Sequence, residues 1–451
     1  MTAFTSCNPA TAEVVFTRPG WQTPQLEHSL QSLKAAQRRW SQLTVAERAK
    51  QLLQLASHLE AKREQLAGLV TLEVGKRTAE CLAEIDKSAQ LIRYYAELAP
   101  DLLAAKAIPT QASQSGVAFE PLGCVLAVMP WNYPIWQVLR FAVPALMAGN
   151  ACLVKPAPSV PQCTQLLLEL VHAAGLDCLD VAWIDHELVE DAIRHCDAVA
   201  FTGSTHTGRV IASLAGKHLK KTVLELGGSN PFIVLADADV EAAAQDAVNS
   251  RFRDAGQSCN AAKRMIVVPE IAEAFVAAFV AAASTLRPGD PRDPHTTLSP
   301  LTRADLREAL HAQVMDACHQ GASLLLGGQL PPTPGFFYPA TVLDQVHTGC
   351  RVYHEEVFGP VASILRARNQ ADAIRLANDT PFGLGASIYT ADTEHGWELA
   401  RQLEVGSVFI NRHTSSDLRL PFGGVKASGY GRELSEFGLY EFVNVKTYWQ
   451  K

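Results

Sequence analysis

Of the ten cysteines in this 451-residue chain, at positions 7, 81, 124, 152, 163, 178, 196, 259, 318 and 350, one stands in a context suited to a nucleophile. Cys259 closes the tetrapeptide GQSC, where Gly256 allows a tight turn and the following AAKR brings positive charge near a thiolate. A free cysteine is more often a buried structural residue, so Cys259 needs partners. Glu225, thirty-four positions earlier (259 minus 225), ends an apolar strand in LELGGSNPF. Burial there raises a carboxyl pKa and suits it to activating water at neutral pH; the plainer reading is a solvated edge charge. Asn132 in MPWNYP carries an amide that can donate to a developing oxyanion, or can cap a helix in its Asn-x-Pro setting.

Other segments suit a dinucleotide. FTGSTHTG, 201–208, joins a strand to a helix, so free N–H groups and the helix dipole at that turn can hold a pyrophosphate. It is no Walker loop, because Arg209-Val210 stands where Lys-Ser/Thr is required, and no GxGxxG follows a strand. Lys155 in LVKP falls at the C-terminal end of a strand, where open α/β sheets bind ligands. Glu356 in HEEVFGPV can bond ribose hydroxyls, with Phe358 against a nicotinamide face; a charged residue beside a core aromatic is the plainer reading.

The elements that must position these groups follow from texture. The first hundred residues read as helices: Thr23-Pro24 starts one with Leu26, Leu30, Leu33 and Trp40 at helical spacing, and Thr44-x-x-Glu47 is a capping box opening the next. They read as packing elements without chemistry. From Cys124, short apolar strands (CVLAVMP, ACLVKP, VAWID, AVAFTG, TVLEL) alternate with helices, which implies a mostly parallel sheet. A second series begins after Gly228 with PFIVL, a helix from Asp239, RMIVV and a long helix from Ile271, while 287–295 and 327–337 read as loops.

Composition narrows the class. Hydrophobic residues make up 48% and charged residues 19%, with 29 Gly and 25 Pro, which excludes disordered and collagen-like chains; the length calls for two or more folding units. Net charge is −7, so no positive field draws the chain to nucleic acid or anionic lipid. The closest cysteines lie eleven positions apart, so there is no CxxC, and no HExxH appears; no metal and no disulfide framework is expected. Ten unpaired thiols, no basic residue before Arg18 and a longest apolar run of only Ala274–Ala283 point to the cytoplasm.

In this order and at this spacing, PWNYP, LVKP, FTGST, LELGGSNPF, GQSC, EEVFGPV, TPFGLGA and PFGGVKASGYGRE resemble the aldehyde dehydrogenase superfamily over essentially the whole chain. PWNYPIWQVLR and FINRHTSSDLRLPFGGVKASGYGRELSEFGL are most similar to its shorter succinate-semialdehyde dehydrogenases. The resemblance implies catalysis by Cys259, Glu225 and Asn132, and NAD or NADP held by Trp131, Lys155, Ser159, Gly203, Ser204, Gly227, Glu356 and Phe358. It implies a substrate carboxylate held by Arg140, Arg253 and Ser416, with Arg253 approaching from a strand. Eight residues beyond Asn132 advance a helix by about 12 Å and return to within about 80° of one face, so Arg140 can line a tunnel floored by Asn132; pairing with a carboxylate is its plainer fate.

Two departures stand out. Pro158 replaces the Glu that many NAD-preferring members have three residues after the strand-end lysine, which opens the site to NADP. WIDHELVED replaces the usual glycine-rich run before the strand at 198. The expected fold is α/β, with two open α/β domains and a small β oligomerisation flap. The cofactor domain is 1–102 with 122–227 and the catalytic domain 228–427. The segments 103–121 and 428–451 are expected to pair across a homodimer or homotetramer interface. Uncharged aldehydes, or a binding role without turnover, are the competing functions.

Overall fold

The computed structural model describes residues 3–451; residues 1 and 2 of the expected first segment lie outside it. The chain opens with an antiparallel hairpin, β1 (Ala3–Asn8) and β2 (Glu13–Pro19), where the sequence reading expected helices. Phe4 at its base packs edge-on against Trp183, and the Arg18 guanidinium stacks on the same indole, 3.7 Å from its centroid. This has a consequence downstream. The strand expected from Val181 ends there, because Trp183 turns away to bury against the hairpin and its carbonyl accepts from Trp21 N.

Four helices follow: α1 (Thr23–Trp40), α2 (Val45–Ala61), α3 (Arg63–Val74) and α4 (Thr78–Leu102). Leu26, Leu30, Leu33 and Trp40 are buried as their spacing demands, and the Thr44/Glu47 capping box is formed. Next come β3 (Lys106–Ala107) and β4 (Gln114–Pro121), then the alternation β5 (Cys124–Val128), α5 (Trp136–Met147), β6 (Ala151–Lys155), α6 (Pro161–Ala173), β7 (Leu179–Val181), α7 (Val189–His195), β8 (Ala198–Thr202), α8 (Thr205–Lys217) and β9 (Lys221–Glu225).

The early helices serve the sheet electrostatically as well as by packing. Glu73 of α3 accepts from Gln162 and Cys163 N at the start of α6, and Glu84 of α4 accepts from Ile135 and Trp136 N at the start of α5. Each carboxylate satisfies orphan amides and the positive end of a helix dipole.

The second series runs through β10 (Asn230–Val234), α9 (Val240–Phe252), β11 (Ala262–Val267) and α10 (Ala272–Ser284). It continues with β12 (Ser323–Leu326), β13 (Thr341–Asp344), β14 (Val361–Arg366), β15 (Phe382–Gly383), β16 (Gly385–Tyr389) and β17 (Ser407–Ile410). The chain closes with β18 (Val425–Lys426), β19 (Gly429–Tyr430) and β20 (Val443–Gln450). The first sheet has the order β19-β9-β8-β5-β6-β7 and is parallel except at β19; the second, β12-β13-β14-β11-β10-β16-β17, is parallel except at β12. Each sheet has its own apolar core, one carrying Leu126, Leu153 and Ala200, the other Ile233, Ile266 and Ile364. β20 pairs with β4 along its whole length, and β3 covers the other edge of β4. The two outer segments therefore pair with each other inside one chain.

Candidate active site

Cys259 lies in the connection from α9 to β11, and that connection is held in an unusual backbone. Asp254, Ala255 and Gly256 are successive left-handed residues, with φ of 52°, 51° and 70°. Only glycine fits the third position, since a Cβ there would lie 2.3 Å from Gly359 O. Hydrogen bonds hold the turn at both ends. Arg251 Nη2 donates to Gly256 O at 2.6 Å and to Gly359 O at 2.9 Å, Asp254 N donates to Glu80 Oε1, and the Tyr133 hydroxyl donates to Asp254 Oδ2. Such strain persists only where surroundings over-determine it. Behind Asp254, the fully buried Lys76 lies 2.6 Å from Glu84 and 3.6 Å from Asp254.

The thiol is partly buried and pushed up to about 11, chiefly by burial, with Lys263 and Arg140 pulling the other way. Lys263 Nζ donates to Cys259 O at 3.0 Å, to Gly228 O at 2.6 Å and to Glu356 Oε1 at 2.8 Å. Asn132 is buried in the turn between β5 and α5; its Nδ2 donates to Gln257 O at 2.9 Å and its Oδ1 accepts from Gln137 Nε2. The helix-capping alternative is thereby excluded, because Ile135 is the N-cap of α5 and Glu84 serves its amides. The amide keeps a second N–H for an oxyanion.

Glu225 is the last residue of β9, buried, with neither carboxylate oxygen hydrogen-bonded. Burial first, and Glu433 second, hold its carboxyl well above the usual range. One oxygen lies beside Gly423, where a Cβ would sit only 2.7 Å away. Glu225 does not line the cavity at Cys259, though it is close enough for its charge to raise the thiol further.

That cavity, about 310 Å³, is walled by Cys259, Asn260, Gln137, Trp136, Phe422 and the three expected carboxylate ligands. Their states differ from expectation. Arg140 Nε lies 2.5 Å from Glu433 Oε2 in a buried ion pair, so the plainer fate applies to its charge, while its Nη2 is left without a partner. Arg253 comes from the tight turn Arg253–Gly256, because the expected strand starts only at Ala262; its side chain is 46% exposed, 3.4 Å from Asp254. The Ser416 hydroxyl accepts from Lys87 Nζ at 2.5 Å. The largest correction concerns α4: Glu80, Ala83, Glu84 and Lys87 all line the cavity, so the early helices carry more than packing. A signal existed, since Glu84 falls among Cys81, Ile85 and Ser88 on the buried stripe of α4.

The residues expected at a dinucleotide form two groups. Trp131 meets Phe358 edge-on at 5.9 Å, Glu356 accepts from Gly228 N, and a Cβ on Gly227 would strike Glu356 Oε2 at 2.3 Å. In the other group, Lys155 ends β6 with its ammonium lowered by burial, and the nearby Ser159 hydroxyl is buried without a partner. Ser204 is the N-cap of α8 and accepts from Thr207 N, so its hydroxyl is used within the helix, and the remaining first-turn amides lie at the positive end of the helix dipole. Gly203 N donates to Glu225 O, which ties this turn to the end of β9. An orphaned hydroxyl, an open helix N-terminus and a glycine-lined aromatic niche fit a dinucleotide. Among the described residues no cluster of three or more His, Cys, Asp or Glu could hold a metal ion, and no helix is long and apolar enough to cross a membrane.

Two parallel-sheet units flank a partly buried cysteine, with a carboxylate at a strand end and an amide in the turn after another strand, and the chain belongs to the aldehyde dehydrogenase family, whose profile matches residues 1–448. It is 45% identical over 449 residues to a succinate semialdehyde dehydrogenase of Escherichia coli K12 named for NAD(P)+, covering 99% of this chain and 97% of that one. A Deinococcus radiodurans succinate-semialdehyde dehydrogenase named for NADP+ is 41% identical, covering 98% and 94%. Among solved structures, succinic semialdehyde dehydrogenase from Streptococcus pyogenes with NADP+ superposes with a TM-score of 0.96 at 35% identity, covering 99% of each chain. Betaine aldehyde dehydrogenase from Staphylococcus aureus follows at 0.95 and 31% identity, covering 99% of this chain and 92% of that one. Fold likeness therefore spans substrates of opposite charge, and choice among them has to come from the cavity.

Proposed function

We propose that this chain oxidises succinate semialdehyde, or a short ω-oxo acid like it, to the dicarboxylate with NAD or NADP. The observation that carries the reading is one cavity holding a thiol at Cys259 together with cationic side chains that a carboxylate can meet. The full-length likeness to succinate-semialdehyde dehydrogenases supports it.

In this reading Cys259 Sγ attacks the aldehyde carbon, and the oxyanion of the thiohemiacetal is received by Asn132 Nδ2 and the Cys259 backbone N–H. NAD(P), when bound, supplies the hydride acceptor. Trp131, Gly227, Glu356 and Phe358 hold its nicotinamide half, Gly203 and Ser204 its pyrophosphate, and Lys155 and Ser159 its adenosine ribose. Glu225 takes a proton from water, which hydrolyses the thioester on Cys259; burial raises its carboxyl pKa, which makes it a stronger base than a solvated carboxylate. A hydrolytic base also argues against release of the acyl group to a thiol. Pro158 is exposed and carries no charge to repel a 2′-phosphate, so both dinucleotides are admitted.

The same reading divides the chain at Gly228 into a cofactor domain, 1–102 with 122–227, and a catalytic domain, 228–427. The exposed outer strand β20 and the β4 it covers join copies into a homodimer or homotetramer in a reducing cytoplasm. Spectrophotometric NAD(P)H formation decides the function: succinate semialdehyde is expected to exceed butanal in kcat/KM by about tenfold or more. Equal values would favour a general aldehyde dehydrogenase, and no NAD(P)H from any aldehyde would leave a binding protein.

A further inference from the structure

Of the three cations in the cavity, two have their charge answered at close range and one does not. Arg140 is paired with Glu433, and Arg253 lies beside Asp254. Lys87, on the seventh residue after Glu80 along α4, is more than half-buried and has only neutral contacts. Its ammonium donates to Ser416 O at 2.8 Å and Ser416 Oγ at 2.5 Å, and sits 4.4 Å from the centre of the Trp136 ring. The third N–H is uncommitted.

The carboxylates around it are already engaged. On its own helix, Glu84 is bound to Lys76 and the α5 amides, and Asp86 takes a bidentate contact from Arg63. From the 414–419 segment, Asp417 is ion-paired with Arg419; α5 presents Arg140, and the nucleophile turn presents Arg253. Lys87 also lies where the cavity of Cys259 meets an outer cleft lined by Gln90, Tyr94 and Asp417. A largely buried cation with no carboxylate in direct contact, where the cavity of the thiol opens to the outer cleft, is an arrangement that an anionic ligand completes.

We propose that Lys87 is the residue that receives the far carboxylate of the substrate, with Ser416 holding its ammonium in place. This rests on the ω-oxo acid reading above. It displaces Arg140 from the leading role, since a guanidinium answered by Glu433 offers an N–H but little net charge. Burial first, then Arg140 and Arg253, bring the Lys87 ammonium down to about 8 against a smaller opposing pull from Asp417, so its charge is present below that pH and lost above it. A bound carboxylate favours the charged form, and recognition therefore weakens as pH rises through about 8.

The test is the ratio of kcat/KM for succinate semialdehyde to that for butanal, read from pH 6.5 to 10, in the wild type, Lys87→Met and Lys87→Arg. Using the ratio cancels the titration of Cys259 and Glu225. The wild-type ratio should fall at least tenfold above pH 8, Lys87→Met should hold the low ratio at every pH, and Lys87→Arg should hold a high ratio at pH 10. A wild-type ratio that is high but flat with pH, with Lys87→Met unchanged, would place the carboxylate elsewhere and leave the function intact. A wild-type ratio near one at every pH would instead overturn the function itself. Should Lys87→Met fail to fold, the wild-type and Lys87→Arg profiles decide alone: parallel profiles refute the role, and divergence above pH 8 supports it.

Discussion

The two ends of the site are built by different rules. At the proposed cofactor end, the candidate residues sit at strand termini and the turns after them: Lys155 at the end of β6, Ser204 opening α8, Gly227 after β9. These positions are short-range, and several demand glycine because a backbone must come close. At the substrate end, the cavity wall is completed by Glu80, Glu84 and Lys87, carried in on α4 from far back in the chain. Backbone-led recognition leaves a spaced motif in the sequence. A charge delivered on a helix face leaves none, since many helices can present a lysine.

The strongest break in this comparison lies where the ends meet. Cys259→Ala removes the nucleophile, and NAD(P)H formation should fall by roughly four orders of magnitude; a loss under about tenfold would refute covalent catalysis. Glu225→Gln should keep a first-turnover burst while slowing the steady state by about a thousandfold, because only hydrolysis needs the base. An unaltered steady-state rate would remove Glu225 from its role. Burial holds the Cys259 thiol at about 11, so its thiolate fraction rises with pH. Alkylation of Cys259 by iodoacetamide in the free enzyme should accelerate by about a hundredfold between pH 8 and pH 10, one decade per unit below the pKa. A plateau reached by pH 8 would show a thiolate already formed.

Two milder lesions separate the ends. Lys76→Met leaves Glu84 and Asp254 without their buried cation and should cost about 3 kcal/mol of stability, read by urea unfolding, by exposing unpaired charge under the nucleophile turn. A change below about 0.5 kcal/mol would show that the network is not structural. Gly227→Ala puts a methyl 2.3 Å from Glu356 Oε2 and should raise KM for NAD(P) by about tenfold while leaving the preference between succinate semialdehyde and butanal alone. A changed preference would mean that the two ends are not separable.

The sequence carried the α/β alternation, because apolar runs such as CVLAV and AVAFT with strand-breaking ends have few other uses. Through their motifs it also singled out Cys259, Asn132 and the residues proposed for the cofactor. Three things were hidden. The β1–β2 hairpin is short and mostly exposed, so alternation toward a core is weak, and its effect on Trp183 shortened a distant strand. The partner of Arg140 comes from Glu433, on a segment nearly three hundred residues away (433 minus 140 is 293), and no local pattern announces such a pair. Lys87 shares the polar shoulder of an amphipathic helix with ordinary surface residues, and only the packing of α4 against α5 turns it inward.

The most direct measurement joins nucleophile, base and substrate in one observation. Glu225→Gln enzyme is mixed with succinate semialdehyde and NADP, quenched in acid, digested and weighed by mass spectrometry. The peptide bearing Cys259 should carry one succinyl group as a thioester, formed with a stoichiometric burst of NADPH and absent when Cys259 is also replaced by Ala. An unmodified Cys259 peptide, or a succinyl group on another residue, would contradict the account.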